Sequence, residues 1–468
     1  MESGSPRVSA PVSVAVLVEL VRSGTAGGHV KCWERFAESA ASLPDSVPGD
    51  PGLDLTVYFL GARERVEILS PRVRLVMLRP VLSTAALTSA DGAEDVSDLA
   101  PHHPRLATLL PRHDVWHLTH CFAYSTTAAR LARRAARKGA GRPRVVGSVH
   151  TDVPALASVY TRYLADRAVT ALPARRDPER MPGGASDRAA EWAAGRAGAW
   201  ARRRRDRLLR GCDRVLVPTP AGCEELARTL GTDRVSLLRR GIDHARFRPD
   251  GTARAWLARE HGVPTDRRLV LFAGRLDASK RVPLLAESLR LLRERGSGVH
   301  AVMVGSGAEA GAVRSVLGGD VTLLGALPQE RLARVYAGCD VFGFPSRTET
   351  CGNVVAEAMA SGLAVVLPEG ARTTQWLAAP GRDGVVVRSD DVWGWADALG
   401  GLVDCPGLLE AMRRRAVATA RDVHPSWDRV LAEDLLPVWM PGAAPVFAPP
   451  PPLPVPSPGA PPPDPRSA

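Results

Sequence analysis

Two glutamates, Glu349 and Glu357, stand eight residues apart in PSRTETCGNVVAEAMASG. A strand-like DVFGF precedes them, so the stretch reads as a strand end, a polar turn and a helix start. Glu349 falls in the turn and Glu357 within the helix. A strand that feeds a helix start presents unpaired backbone amides to a crevice, a natural seat for phosphate. Carboxylates at two depths beside it can hold different hydroxyl groups of one ligand.

Earlier in the chain, LFAGRLDASKR ends another strand. Gly274 permits close backbone approach, Arg275 offers a planar fork and Lys280 a mobile point charge. Together the two cations can neutralise a diphosphate. Side chains decorating a solvated loop are the alternative. A full series of strand–helix units separates this loop from the glutamate pair, which favours phosphate binding. Gly305 and Gly307 in VGSGAEAG form a second glycine turn, for which a plain tight turn is an equally good account. RSGTAGGH sets Gly24, Gly27 and Gly28 directly after the first strand. Its spacing is not Gly-x-Gly-x-x-Gly, so dinucleotide binding is unsupported; ligand approach and a structural turn both stay open. SVHTDVP puts His150 at a strand end with Asp152 two residues on. A lone histidine there is usually structural or a simple hydrogen-bond donor. His117 and His120 in WHLTH have metal-like spacing, but no carboxylate or cysteine set accompanies them.

The elements that must position these residues alternate. VSVAVLVEL, LTVYFLG, VRLVMLR, DVWHLTH, RVVGSVHT and RVLVPT read as strands, and AYSTTAARLARRAARK and PAGCEELARTLG as helices between them. After RRGIDHARFRPD the pattern restarts with LVLFAG, VHAVMVG, VTLLG, DVFGF, LAVVL and GVVV, separated by helices. The fold class is therefore α/β, with two doubly wound Rossmann-like domains, over 1–245 and 265–425, facing across a cleft. Residues 81–112 and 171–205 fit this alternation poorly and read as insertions or long helices and loops. Residues 426–440 read as an amphipathic terminal helix that could pack back on the first domain. The Pro-, Ala- and Ser-rich 441–468 read as a disordered tail.

The chain has 468 residues and a formal net charge of +11, with arginine supplying most of the excess. Such a balance suits phosphorylated substrates, an anionic membrane surface or nucleic acid. ARRRRDRLLRGCD clusters Arg202, Arg203, Arg204, Arg205, Arg207 and Arg210. This is a solvated helix face or, with Leu208 and Leu209, a surface for anionic lipid. The seven cysteines are scattered and contain no Cys-x-x-Cys pair, which points to a reducing compartment. Neither an export signal nor a bilayer-length apolar run is apparent, so a cytoplasmic protein, at most peripheral to the inner face of the membrane, is expected.

Gly-Arg-x-x-x-x-Lys at 274–280 and Glu-x7-Glu at 349–357, in this order, resemble the retaining glycosyltransferases of family four (glycosyltransferase group 1), which have the GT-B fold. VMVGSGAEAG and LLGALPQERLARVYAGCDVFGFPS are similar to that family as well. The resemblance implies a nucleotide-diphosphate sugar, UDP- or GDP-linked, as donor substrate, with no separate cofactor and no metal. It implies a lipid or small-molecule acceptor and no nucleic acid. Glu357 would then hold the nucleotide ribose and Glu349 the donor-sugar hydroxyls. Arg275 and Lys280 would stabilise the leaving diphosphate. Gly352, Asn353 and Val354 would offer amides to sugar and diphosphate, with Gly27, Gly28, Gly274 and Gly305 lining the donor. His150 would position the sugar. Departures are Cys351, where many relatives have an aromatic residue; RRGID at 239–243, where many have Asn-Gly; and EGARTTQW, without the usual paired glycines and acid. The rival readings are an epimerase or hydrolase acting on a nucleotide sugar, a non-catalytic basic binding protein and, third, an NAD-linked oxidoreductase.

Overall fold

The computed structural model describes residues 10–23, 27–43, 52–83, 97–139, 141–150, 158, 161 and 183–441. Asp152 and the tail from residue 442 lie outside them. The first sheet contains β1 (Val12–Val21), β2 (Leu53–Leu60), β3 (Arg65–Ser70), β4 (Val73–Leu78), β5 (Val115–Leu118), β6 (Arg144–Ser148), β7 (Arg214–Val217) and β8 (Val235–Leu237). Their order is β3-β4-β2-β1-β5-β6-β7-β8. Only β3 runs antiparallel to its neighbour, β4. Along β1 the side chains alternate between two cores: Val14, Val16 and Val18 enter one, Ala15 and Leu17 the other. This is the period of two that a sheet covered on both faces requires.

The second sheet contains β9 (Arg268–Ala273), β10 (Val299–Val304), β11 (Val321–Leu323), β12 (Val341–Gly343), β13 (Ala364–Pro368) and β14 (Val385–Val387). It is parallel throughout, in the order β11-β10-β9-β12-β13-β14. The winding direction reverses between β9 and β12, and the loops leaving these neighbours open a crevice at their carboxyl ends. The first sheet reverses in the same way between β1 and β5.

Three features depart from the sequence reading. β3 (RVEILS) and the three-residue β8 were not foreseen: one is a charged edge strand and the other is too short to show a period. The second domain's core starts ahead of residue 265, because Ile242, Phe247, Trp256 and Leu257 are buried in it, the last two on the helix Ala253–His261. Residues 183–210 form one helix. Its Leu209 is buried in the first-domain core with Leu208 half-buried nearby, so the leucines that the lipid-surface alternative would expose face inward. The outer face carries Trp192 and Trp200, 66% and 59% exposed, with Arg196 and Arg204 lying over their rings.

The chain crosses between domains at Arg239–Asp243 and returns at Pro425–Trp427. The Ile242 amide donates to the Pro425 carbonyl (2.9 Å), and a Cβ on Gly241 would lie 2.5 Å from the Trp427 backbone. Beyond the return, Trp427, Val430, Leu431, Leu435, Leu436 and Trp439 join the first-domain core beside Val14, Trp33 and Phe36. One turn of this terminal helix, Leu431–Leu435, is wound as π-helix. It presents Glu433 and Asp434 to Arg239, which donates to both at 2.6 Å.

Candidate active site

The adjacency of β9 and β12 brings Lys280 and Glu349 together across 69 residues of chain. Lys280 Nζ donates to Glu349 Oε1 at 2.5 Å, and Ser346 Oγ reaches the same oxygen at 3.4 Å. Both charged side chains are mostly shielded, 13% and 22% exposed. Asp277 accepts from the Lys280 amide and so caps the short turn that carries the lysine. Arg275 is more open, with its Nε 3.4 Å from Asp277 Oδ2. Gly305 (φ +130°) lies directly over this loop: a Cβ there would stand 1.9 Å from the Gly274 carbonyl oxygen. Backbone packing accounts for Gly305, and a ligand is not needed to explain it.

After Glu349 the chain turns through Gly352 (φ +69°), which leads into the helix Asn353–Ala360. A side chain at Gly352 would strike Thr373 Cγ2 at 2.5 Å. The helix has no side-chain cap and no acid in its first turn, so its leading amides and positive dipole end stay available. Asn353 Oδ1 and Thr373 Oγ1 are buried without hydrogen-bond partners. Val354 follows in that first turn, half-buried. Glu357 comes one turn later and faces the interdomain cleft. Desolvation pushes its carboxyl up to about 7, against the opposing pull of Arg35 and the Tyr336 phenol. The segment EGARTTQW forms a 3-10 turn whose Trp376 Nε1 donates to the Cys351 carbonyl at 2.7 Å. Cys351 is buried, filling the wall behind the turn.

The opposite wall starts at Gly27 and Gly28, where the helix Gly28–Ala41 opens, again without a side-chain cap or first-turn acid. A Cβ on Gly28 would meet nothing within 4 Å, which leaves open space before the helix start. Four histidines gather at this end of the sheet. His29 stacks on His150 with centroids 4.3 Å apart and lies 4.6 Å from His120. Burial pushes His117 down to about 3 and His120 to about 4, and holds His29 and His150 well below the usual imidazole range. All four are neutral at physiological pH.

Their tautomers follow from the groups at the two ends of a chain of hydrogen bonds. Trp439 Nε1, which can only donate, meets His117 Nδ1 at 3.0 Å. Arg240 Nη2, also only a donor, meets His150 Nδ1 at 2.8 Å. Each neutral ring therefore carries its proton on Nε2, and both Nε2 atoms lie 2.7 Å from Ser148 Oγ. Ser148 accepts twice, and its own proton is left for a third acceptor.

His150 has both ring nitrogens engaged within the protein, where it accepts from Arg240 and stacks on His29. His29 is the free histidine: both its nitrogens are buried without partners. In the sequence it stands directly after the Gly27–Gly28 pair of RSGTAGGH. The cleft between the walls, about 300 Å³, is lined by Lys31, Cys32 and Arg35 from the first domain and by Gln329, Asn353 and Glu357 from the second. Arg35 Nη2 donates across it to Gln329 Oε1 at 2.9 Å. Lys280, Glu349 and the Asn353 helix start thus form one cluster, and Glu357 and Asn353 share the cleft lining. Gly27, Gly28 and His150 belong to the facing wall. Among the described residues, no group of three or more His, Cys, Asp or Glu side chains is placed to hold a metal ion.

Comparison with known proteins agrees with this architecture. The family profile described as Glycosyltransferase Family 4 matches residues 62–246, and that described as Glycosyl transferases group 1 matches residues 267–405. The chain belongs to the family-four, group 1 glycosyltransferases. It is 32% identical over 246 residues to the D-inositol 3-phosphate glycosyltransferase of Nocardia farcinica, covering 49% of this chain and 52% of that one. Over 240 residues it is 35% identical to the GDP-mannose-dependent alpha-mannosyltransferase of Mycolicibacterium smegmatis, covering 51% and 59%. The matched region spans about half the length of these curated relatives. Among solved structures, sucrose-phosphate synthase from Thermosynechococcus elongatus superposes with a TM-score of 0.61 at 19% identity, over 90% of this chain and 96% of that one. Anabaena HepE in complex with UDP-glucose gives 0.56 at 15% identity, over 89% and 96%. These likenesses show the two-domain GT-B fold.

Proposed function

We propose that the chain transfers a glycosyl group from a UDP- or GDP-linked sugar to a hydroxyl of a lipid or small-molecule acceptor, with retention of anomeric configuration and without a metal ion. The observation that carries this reading is the cluster where β9 and β12 part: Lys280, Glu349 and the uncapped helix start at Asn353. Cleaving the bond between the anomeric carbon and the diphosphate oxygen leaves negative charge on the diphosphate. Lys280, Arg275 and the amides of Asn353 and Val354 stabilise that charge where it develops. Glu349 accepts from donor-sugar hydroxyls, and Glu357 from the nucleotide ribose. The acceptor oxygen bonds to the anomeric carbon on the face from which the diphosphate departs, and its proton passes to the departing phosphate oxygen. A closed cleft keeps water from taking the acceptor's place.

The relatives' names support the donor class: one is GDP-mannose-dependent, and the HepE structure holds UDP-glucose. Among the described residues no helix is long and apolar enough to cross a membrane. We place the chain in the cytoplasm, in peripheral contact with the membrane's inner face through the Trp192–Trp200 face of the Gly183–Arg210 helix. The test is a thermal-shift screen of UDP-, GDP- and ADP-sugars, followed by transfer assays with the stabilising donor and NMR of the product's anomeric centre. Lys280→Ala is expected to lower turnover by about two to three orders of magnitude in a protein that still melts cooperatively. No stabilisation by any of these donors, or near-normal turnover in Lys280→Ala, overturns the reading.

A further inference from the structure

Among the described residues, a buried cation on the first-domain wall has no carboxylate partner. Arg239 and Arg240 lie in the crossover between the domains, and Arg246 follows it closely. Arg239 is bound by Glu433 and Asp434, and Arg246 pairs with Asp243 at 3.1 Å. Arg240, 6% exposed, is the most enclosed of them and pairs with no carboxylate among the described residues. Its Nη2 donates to a neutral imidazole, His150, and its Nη1 is buried without a partner. An isolated buried guanidinium is costly, since the charge loses its hydration and gains nothing in return.

Among the described residues, no carboxylate pairs with this guanidinium. Cys32, on the first-domain helix, and Cys351, in the turn beside Gly352, both feel the Arg240 charge, so the guanidinium lies between the two walls. Burial pushes these thiols up to about 11 and 12, and both are uncharged at neutral pH. The Gly28–Ala41 helix points an uncapped, acid-free start toward the same place, and its second residue is His29, whose two ring nitrogens lack partners. The four histidines beside it are neutral. Glu349, the nearest carboxylate of the facing turn, is taken by Lys280. Among the described residues, the groups around Arg240 are thus neutral or otherwise paired, and its neighbours Cys32 and Gly241 line the cleft.

We infer that Arg240, with His29 and the start of the Gly28–Ala41 helix, forms an anion subsite that holds a phosphate group of a bound ligand. His150 is its positioning residue: by accepting from Nη2 it turns Nη1 toward the ligand. The inference rests on the transfer reading only for the source of the phosphate, which is either the donor diphosphate or a phosphate on the acceptor.

The test uses the full chain with Arg240→Gln, which keeps a donor for His150 Nδ1 but removes the charge, and Arg240→Lys, which keeps the charge. Inorganic pyrophosphate, UDP-glucose and GDP-mannose are titrated against each variant by calorimetry. Inorganic phosphate is then titrated in the presence of saturating UDP. Arg240→Gln is expected to bind pyrophosphate about ten- to a hundredfold more weakly than the parent, with Arg240→Lys between them. Loss on the nucleotide sugars assigns the subsite to the donor. Unchanged nucleotide-sugar affinity with loss of the phosphate titration assigns it to the acceptor. If Arg240→Gln matches the parent on all four probes, the subsite is refuted. If Gln and Lys lose equally with an equal fall in melting temperature, the role is structural and the inference is again refuted. The pyrophosphate arm decides the subsite even if no nucleotide sugar binds.

Discussion

Glu357 gives the site a pH signature that can be worked through from its surroundings. Raising its carboxyl from 4.5 to about 7 makes the ionised form about 3 kcal/mol costlier in the folded protein than in water. A carboxylate that accepts from ribose hydroxyls must nevertheless be ionised to bind. At pH 6, one unit below its midpoint, about one molecule in ten carries the charge, so affinity is about tenfold below its plateau above pH 8. Burial holds His117 at about 3, His120 at about 4, and His29 and His150 well below the usual imidazole range, so the histidines of the opposite wall add nothing in this window. Glu19 is also pushed up to about 7, but it is buried beneath the helix Ala123–Arg137, whose Ser125 amide it accepts at 2.8 Å. Glu357→Gln therefore separates the two.

The assay is calorimetric titration of UDP-glucose and GDP-mannose from pH 5.5 to 8.5; a sugar diphosphate diester has no protonation of its own in this range. The parent should show log affinity rising with a slope near one below pH 7, and Glu357→Gln should be flat and weak throughout. Without ligand the sign reverses. The native state holds the Glu357 proton more tightly than the unfolded chain does, so stability is lost as pH rises from about 4.5 to 7. Glu357→Gln should then be the more stable protein at pH 8, by up to about 3 kcal/mol. A parent whose affinity is level across the range, or a slope that survives in Glu357→Gln, refutes the argument.

Gly305→Ala forces a Cβ to within 1.9 Å of the Gly274 carbonyl at a backbone angle that L-residues avoid. It should cost about 2–4 kcal/mol in chemical denaturation, and an unchanged midpoint would show that the loop pair is not so tightly packed. For the membrane, the outward tryptophans rather than the leucines should matter. The parent should bind vesicles containing anionic lipid with strong salt dependence. Trp192→Ala with Trp200→Ala should weaken this at least about tenfold at unchanged melting temperature; equal binding by the double variant would exclude this face.

The second domain was legible because its strands are short apolar runs and each motif directly follows one of them. Gly274, Arg275 and Lys280 had to sit after β9, and Glu349 after β12. What the sequence did not display is that β9 and β12 are neighbours, the fact that turns two motifs into one ion pair. The first-domain wall was far less legible. His29, His120 and His150 leave the ends of β1, β5 and β6, which are brought together only by the winding reversal, and no spacing records that. That both His150 nitrogens are engaged was equally hidden, because an obligate donor, Arg240, comes from 90 residues further along the chain and occupies Nδ1. The inward turn of Leu208 and Leu209 is likewise a matter of helix phase against a core that the Arg run conceals.

The two walls are set by one small region of the chain. The crossover at Arg239–Asp243 and the return at Pro425–Trp427 run side by side, joined by the bridge between Ile242 and Ser426 and by close approach of Gly241 to Trp427. Arg239 fastens the crossover to the terminal helix through Glu433 and Asp434, and that helix is part of the first-domain core. The terminal helix also reaches the site, since Trp439 fixes the tautomer of His117 and through Ser148 constrains His150. A pivot between the two domains would therefore lie next to Arg240. A phosphate held between Arg240 on one side and the Asn353 helix start on the other would draw the walls together about that pivot. Glu349 would then meet the donor sugar with Lys280 released to the diphosphate, so the same contact that neutralises the buried arginine would also assemble the site.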